Sequence, residues 1–110
     1  MEMKLNKLPF EQILSGEKTV EIRLNDEKRS QLREGDKITF ISREDARSIQ
    51  AEVVALYKYP TFLELFKAPL LEKGGFGDMT PEQACECMRK YYTIEQEHRY
   101  GVLGIEIKLI

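Results

Sequence analysis

Apolar and polar residues alternate strictly in the segment that follows the first glycine, GEKTVEIRL. Every second position from Thr19 to Leu24 is apolar, which is the repeat of a β-strand with one buried face. The apolar positions are Val20, Ile22 and Leu24, and the polar positions are Thr19, Glu21 and Arg23. We therefore predict a strand whose charged side chains lie on the face opposite the core.

Three further segments have the strand repeat, and each predicts one apolar face. They are Lys37–Ile41, Ile49–Tyr57 and Gly101–Ile110. In the second of them, the predicted inward side chains are Ile49, Ala51, Val53, Ala55 and Tyr57.

Helix signals occupy the segments between these strands. Pro9–Ser15 has a first-turn proline and apolar residues three and four apart, and Gly16 can end it in a left-handed conformation. Thr61–Lys67 and Thr80–Tyr91 each begin with a threonine that is followed three residues later by Glu or Gln, a helix-capping pattern. A polar helical turn is expected within Asp26–Arg33.

The order of these elements limits the fold. Helix, strand, turn, strand, strand, helix, helix and strand supply too few strands for a sandwich. We predict an α+β fold in which a small mixed sheet curls into a β-barrel, with short helices packed outside. A chain of 110 residues has room for one domain, spanning residues 1–110.

Charge and hydropathy narrow the classes of partner. The chain has 17 basic and 19 acidic residues, a formal net charge of -2, so an anionic partner would have to meet a local basic patch. No apolar run approaches the ~20 residues that span a bilayer, and the N-terminal residues lack the hydrophobic stretch of a signal peptide. We expect a cytoplasmic protein, monomeric and without a membrane partner.

The two cysteines do not indicate a metal site. Cys85 and Cys87 lie two residues apart in a predicted helix, so their side chains point about 200° apart. They cannot readily share a disulfide or a metal ion. With His98 as the only histidine, we expect reduced thiols, no metal site and no cofactor.

The first predicted strand carries a family resemblance. Gly16, Lys18, Glu21 and Arg23 form the pattern GxKxxExR, and a Gly-Asp pair precedes the next strand. Together with the PFxxIxxG helix and the closing apolar strand, this pattern resembles the signature of the ASCH domain, a branch of the PUA-like β-barrel superfamily. The resemblance covers essentially the whole chain and implies the same kind of barrel.

The resemblance implies recognition of RNA, nucleotides or modified bases in a cleft beside the barrel. Lys18, Glu21 and Arg23 would line this cleft. Arginine suits a phosphate or a base edge, lysine supplies a point charge, and a carboxylate accepts hydrogen bonds from an exocyclic amine. The spacing alone is also compatible with a solvated, salt-bridged strand face.

A hydrolase acting on N-acetylated cytidine or on RNA and a protein-interaction module are the alternatives. Some ASCH relatives hydrolyse acetylated cytidine, with a lysine, a threonine three residues later and a distant glutamate that resemble a catalytic triad. Lys18 matches the lysine, whereas Glu21 occupies the threonine position and Asp78 lies near the expected acid. Lys18 and Glu21 could still act as acid and base if burial moved their pKa values toward neutrality.

Aromatic residues elsewhere are further candidates for ligand contacts. Phe76 lies in KGGFGD, which lacks the Lys-Ser/Thr of a phosphate-binding loop and is expected to form a lid or turn. Phe76 could stack on a base if that segment covers the cleft. Arg99 and Tyr100, just before the last strand, combine phosphate binding with stacking, whereas Tyr91 and Tyr92 suit packing equally well.

One cluster of basic residues is expected to be an ordinary solvated surface. Lys28, Arg29 and Arg33 are interspersed with acidic residues in the predicted polar turn. We predict that they are solvated, and that they would add only salt-dependent affinity if RNA binds.

Overall fold

A computed structural model describes the backbone of residues 1–110 and the side chains of all residues but Pro69. Its five strands form one mixed sheet. They are β1 (Glu2–Leu5), β2 (Val20–Leu24), β3 (Lys37–Ser42), β4 (Ser48–Tyr59) and β5 (Val102–Leu109). The order across the sheet is β1-β3-β4-β5-β2, with β1 parallel to β3 and the other neighbours antiparallel.

Short helices fill the connections between strands. The α-helices are α1 (Lys7–Ser15), α2 (Phe62–Leu65), α3 (Pro81–Met88) and α4 (Ile94–Tyr100). A 3-10 turn spans Arg29–Gln31, and two π-helical segments span Phe66–Leu70 and Glu72–Phe76. None of the helices in the described part of the chain has both the length and the apolar character needed to cross a membrane.

The predicted α+β fold is confirmed as a five-stranded, curled half-barrel with short helices. Two elements were not predicted: the edge strand β1 and the helix α4. The helix predicted over Thr80–Tyr91 ends at Met88, because the chain turns there and Thr93 caps a new helix. The segment KGGFGD, expected to form a lid or turn, overlaps the π-helical segment Glu72–Phe76, in which Gly75 has a left-handed, non-helical conformation.

The sheet separates two apolar clusters. The inner cluster comprises Met3, Leu5, Phe10, Ile13, Leu32, Ile38, Phe40, Ala51, Val53, Leu103, Ile105 and Ile107. The outer cluster comprises Val20, Ile22, Leu24, Phe62, Leu65, Phe66, Leu70, Ala84, Met88 and Val102. Val102 and Leu103 are successive residues of β5 and belong to different clusters, because neighbouring strand residues point to opposite faces.

A β-bulge changes the predicted facing of β4. The register against β5 shifts between Val53 and Ala55, and an inserted residue moves the following side chains to the other face. Val53 accordingly belongs to the inner cluster, whereas Tyr57 packs against the outer cluster. The single inward face predicted for Ile49–Tyr57 therefore ends at the bulge.

The facing of β2 determines where its charges lie. Its apolar residues belong to the outer cluster, so Glu21 and Arg23 project from the inner face. There they lie opposite Ile105 and Leu103 of β5, which are both buried. Contrary to the prediction, the charged face of β2 is therefore turned into the protein, and β2 is covered on both sides.

Candidate functional site

Lys18, Glu21 and Arg23 form one buried ion network, which we call the charged cluster. Glu21 Oε1 lies 2.9 Å from Lys18 Nζ, and Glu21 Oε2 lies 2.7 Å from Arg23 Nε. The exposed fractions of the three side chains are 7%, 4% and 13%. The structure thus brings together the three residues of the sequence motif, with the carboxylate between the two cations.

The turn between α1 and β2 positions Lys18. Gly16 ends α1 with a φ of 86°, a left-handed conformation that favours glycine. The backbone N–H of Lys18 donates to the carbonyl oxygen of Gln12 at 3.0 Å, and that of Thr19 donates to Lys73 at 2.9 Å. These bonds tie the turn to its neighbours, so Lys18 is held where its side chain reaches Glu21.

Arg23 joins the two edge strands of the sheet. Its Nη2 donates to the carbonyl oxygen of Lys4 at 3.0 Å, and Lys4 lies on β1, at the opposite edge from β2. This contact bridges the open side of the half-barrel, which we call the seam. The charged cluster therefore lies at the seam, where the sheet has no further strand.

The segment Glu72–Phe76 covers the Lys18 end of the cluster. The Phe76 ring centroid is 5.9 Å from Lys18 Nζ, and the Gly75 carbonyl accepts a hydrogen bond from Gln12 Nε2 at 3.3 Å. A Cβ at Gly74 would lie 2.5 Å from Ile22 Cδ1. The segment packs this closely on β2 because Gly74 has no side chain.

Ion pairing controls the ionisation of Glu21. Burial raises the pKa of the Glu21 carboxyl, but the charges of Lys18 and Arg23 outweigh burial and hold it below its ordinary value. The carboxylate is therefore ionised at neutral pH. An acid–base role would need a pKa nearer neutrality, and the shift has the opposite sign.

Tyr92 is a neighbour of Arg23. Its place in the sequence is compatible both with packing and with contact to a ligand. Its ring stacks on Phe62, with centroids 5.8 Å apart, and packs against the outer cluster. Burial raises the pKa of the Tyr92 hydroxyl, and the positive charges of Arg23 and Arg29 oppose this effect. Tyr92 is thus a packed residue whose hydroxyl lies within reach of the arginine charges.

Phe76 adjoins the charged cluster, whereas Asp78, Arg99 and Tyr100 are placed elsewhere. Asp78 is exposed and lines a groove of about 370 Å³ beside α3. The Arg99 guanidinium lies 5.2 Å from the Tyr100 ring centroid, and Tyr100 packs against the outer cluster. In the described side chains, no hydrogen bond or ion pair links these three residues to the cluster.

A second surface groove also lies outside the charged cluster. The second, about 620 Å³, is lined by Met1, Glu27, Lys28, Gln31, Leu32, Asp36 and Lys37.

Cys85 and Cys87 are free thiols, and burial raises the pKa of Cys85. Among the residues described here, no three His, Cys, Asp or Glu side chains are grouped so that they could hold a metal ion.

Comparison with known families identifies the fold. The model of the ASCH domain matches residues 3–110. The chain belongs to the ASCH domain family. The family predicted from the GxKxxExR pattern is therefore confirmed.

Solved structures agree with this assignment. The ASCH domain described here is similar to the crystal structure of hypothetical protein PH0355, with a TM-score of 0.89 and 35% identity over 99% of this chain and 97% of that one. It is also similar to the NMR structure of protein PF0455 from Pyrococcus furiosus, with a TM-score of 0.74, 32% identity and coverage of 100% and 98%.

A more distant structure shares the fold alone. The crystal structure of ASCH from Zymomonas mobilis has a TM-score of 0.58 and 14% identity, over 97% of this chain and 65% of that one. No curated protein matches the sequence.

Proposed function

We propose that this ASCH domain binds RNA or a nucleotide, including modified bases, through the charged cluster and Phe76. One observation carries the proposal: Lys18 Nζ lies 2.9 Å from the Glu21 carboxylate and 5.9 Å from the Phe76 ring centroid. A cationic donor, an ionised acceptor and an aromatic ring thus meet at one end of β2.

These three groups are complementary to a nucleobase. A base presents carbonyl and ring-nitrogen acceptors together with amine donors along its edge, and a π face that stacks on aromatic rings. Lys18 can donate to the acceptors, Glu21 can accept from an exocyclic amine, and Phe76 can stack. Arg23 adds a planar donor group that suits phosphate.

The burial of the cluster supports a role in recognition. Desolvating three charged groups is unfavourable, and well-packed apolar residues in place of buried ion pairs are often neutral or stabilising. Closing the seam alone therefore does not require Lys18 and Glu21. A ligand that exchanges hydrogen bonds with them explains their presence in a site that excludes water.

Access to the cluster requires the covering segment to move. Because Lys18 and Glu21 are only 7% and 4% exposed, a base reaches them when Glu72–Phe76 shifts away from β2. The segment is held by the Gln12 side chain and by the bond from Thr19 to Lys73. We expect binding to rearrange these contacts and to leave the sheet unchanged.

The test is an amide chemical-shift titration of the labelled chain with cytidine, N4-acetylcytidine and a short single-stranded RNA. We expect shifts concentrated in residues 16–23 and 72–76. Lys18→Met should weaken binding about tenfold or more, the size of one lost charge-assisted hydrogen bond. Spectra taken again after hours would reveal conversion of acetylcytidine, the sign of a hydrolase.

Lys37→Met is the matched control. Lys37 also pairs with a glutamate at 2.9 Å, but its side chain is 62% exposed and lies on β3. This variant should bind as the wild type does. Equal affinities of the Lys18 and Lys37 variants, or no shifts with any ligand, would overturn the proposal.

A further inference from the structure

Arg29 is not the solvated surface residue that the sequence predicts. It begins the 3-10 turn after β2, and its side chain is 20% exposed, whereas Lys28 and Arg33 are exposed residues. Its backbone N–H donates to Asp26 Oδ1 at 3.0 Å, and its Nη1 donates to Asp26 Oδ2 at 2.8 Å. Asp26 therefore holds the guanidinium at Nη1.

Arg29 extends the positive charge of the seam. The charges of Arg29 and Arg23 both act on the Tyr92 hydroxyl, so the two guanidinium groups have this side chain as a common neighbour. Arg23 in turn contacts Glu21. Ion pairs thus join Lys18, Glu21 and Arg23, and Asn25 and Asp26 connect the end of β2 to Arg29, which pairs with Asp26.

Two buried polar atoms in the connection between β2 and β3 have no hydrogen-bond partner in the part of the chain that the structure describes. They are Nε of Arg29 and Oδ1 of Asn25. Buried polar atoms in folded proteins nearly always have partners, so each such atom requires an explanation. Nε is a donor and Oδ1 is an acceptor, so a ligand that accepts at one point and donates at another would satisfy both.

We propose that Asn25, Arg29 and Arg23 form a ribose-phosphate subsite next to the base site. A phosphate oxygen would accept from Arg29 Nε and from the Arg23 guanidinium, while a sugar hydroxyl would donate to Asn25 Oδ1. Asp26 keeps its bond to Arg29 Nη1 and holds the guanidinium for the phosphate. The inference rests on the proposed function and makes the ligand a nucleotide or an RNA strand instead of a free nucleoside.

The experiment compares the four ribonucleosides with their 5′- and 3′-monophosphates by titration of the full chain. The wild type should bind one of the monophosphates about tenfold more tightly than the parent nucleoside, as expected for added charge-assisted hydrogen bonds. Arg29→Gln should bring this ratio close to one without changing the affinity for the nucleoside.

Arg33→Gln is the matched control because it removes the same charge from an exposed arginine of the same connection. It should retain the preference for the monophosphate. Arg29→Lys keeps the charge but lacks Nε, and we expect it to lose most of the preference. Arg29→Lys tests the subsite if Arg29→Gln does not fold.

The outcomes separate the two proposals. Wild-type protein that binds nucleosides and monophosphates equally, or Arg29 variants that retain the full preference, would overturn the subsite and leave the base site standing. Equal losses of nucleoside and nucleotide binding in the Arg29 variants would also overturn it. Wild-type protein that binds none of these ligands overturns both.

Discussion

Arg23 on β2 donates a hydrogen bond from Nη2 to the carbonyl oxygen of Lys4 on β1, at 3.0 Å. These strands are the two edges of the sheet, and the same arginine contacts Glu21 Oε2 at 2.7 Å. One side chain therefore contributes both to the closure of the half-barrel and to the charged cluster. Substitutions in the cluster should consequently destabilise the pairing of β1.

Arg23→Gln tests this link. The variant loses a charge-assisted bond to Lys4 and leaves Glu21 with one cation, so we expect a loss of about 2 kcal/mol in the free energy of unfolding. The amides of β1 should exchange with deuterium faster than they do in the wild type, whereas exchange of the β3 amides should not change. Arg47→Gln removes an exposed arginine that pairs with Glu11 and Asp45 and should leave β1 exchange unchanged. Unchanged β1 exchange in the Arg23 variant would contradict the link.

Glu21→Gln tests the energetic role of the central carboxylate. Removing its charge leaves two buried cations facing each other, and we expect the free energy of unfolding to fall by about 3 kcal/mol or more. Chemical denaturation measures this change. Glu52→Gln is the control, because Glu52 also contacts two lysines but lies at the surface, with 28% of its side chain exposed. Similar losses in both variants would show that burial of the cluster is unimportant.

The lowered pKa of Glu21 predicts a defined dependence of stability on pH. Because its pKa is lower in the folded than in the unfolded state, the ion pairs stabilise fully above the unfolded value of 4.5 and lose this effect as pH falls through the folded pKa. The stability difference between wild type and Glu21→Gln should be constant from pH 7 to about 5 and shrink below 4.5. A difference that stays constant down to pH 3 would contradict the ion pairing.

Gly74→Ala tests the packing of the covering segment on β2. The added Cβ would lie 2.5 Å from Ile22 Cδ1, and such overpacking typically costs about 1–3 kcal/mol. Adding Ile22→Val removes that methyl group and should restore part of the loss, which thermal unfolding of the single and double variants will show. A Cβ at Gly77 would contact only Glu72, at 3.3 Å, so Gly77→Ala should reduce stability less. Additive effects of Gly74→Ala and Ile22→Val would disprove the direct contact.

Phe76→Leu tests the stacking role in the proposed function. Leucine keeps apolar volume but removes the ring, and a lost base stack is worth about 1–3 kcal/mol, so affinity for nucleosides should fall about tenfold. Titration with nucleosides measures this effect. Tyr91→Leu removes a 61% exposed ring and should bind normally. If both variants bind equally well, Phe76 does not contact the base.

Local signals in the sequence were sufficient for most elements of the fold. The period of two located β2, the glycine stop located the end of α1, and the capping pattern at Thr80 is realised by reciprocal bonds with Gln83. The same pattern at Thr93 and Gln96 starts α4, so a signal for the missed helix was present. The alternation of Glu2, Met3, Lys4 and Leu5 was also a signal for β1, but it covers only four residues, and the strand is defined by parallel pairing with the distant β3.

The site was predictable only in its composition. The spacing of the motif placed Glu21 and Arg23 on one face of β2, but alternation does not say whether that face meets solvent. Its burial depends on β1 and on Glu72–Phe76, which come from other parts of the chain. The prediction of Asp78, Arg99 and Tyr100 rests on their place in the sequence, which does not determine the direction of their side chains.

The position of Glu21 between Lys18 and Arg23 has a consequence for ionic strength. With one anion and two cations, the cluster has a net charge near plus one, and its attraction for phosphate at long range is weak. If the domain binds RNA or a nucleotide as proposed, binding should release few counterions, and affinity should fall only gently with added salt. The ASCH domain would select its ligand by hydrogen-bond geometry at cellular salt concentrations, with little background binding to unrelated polyanions.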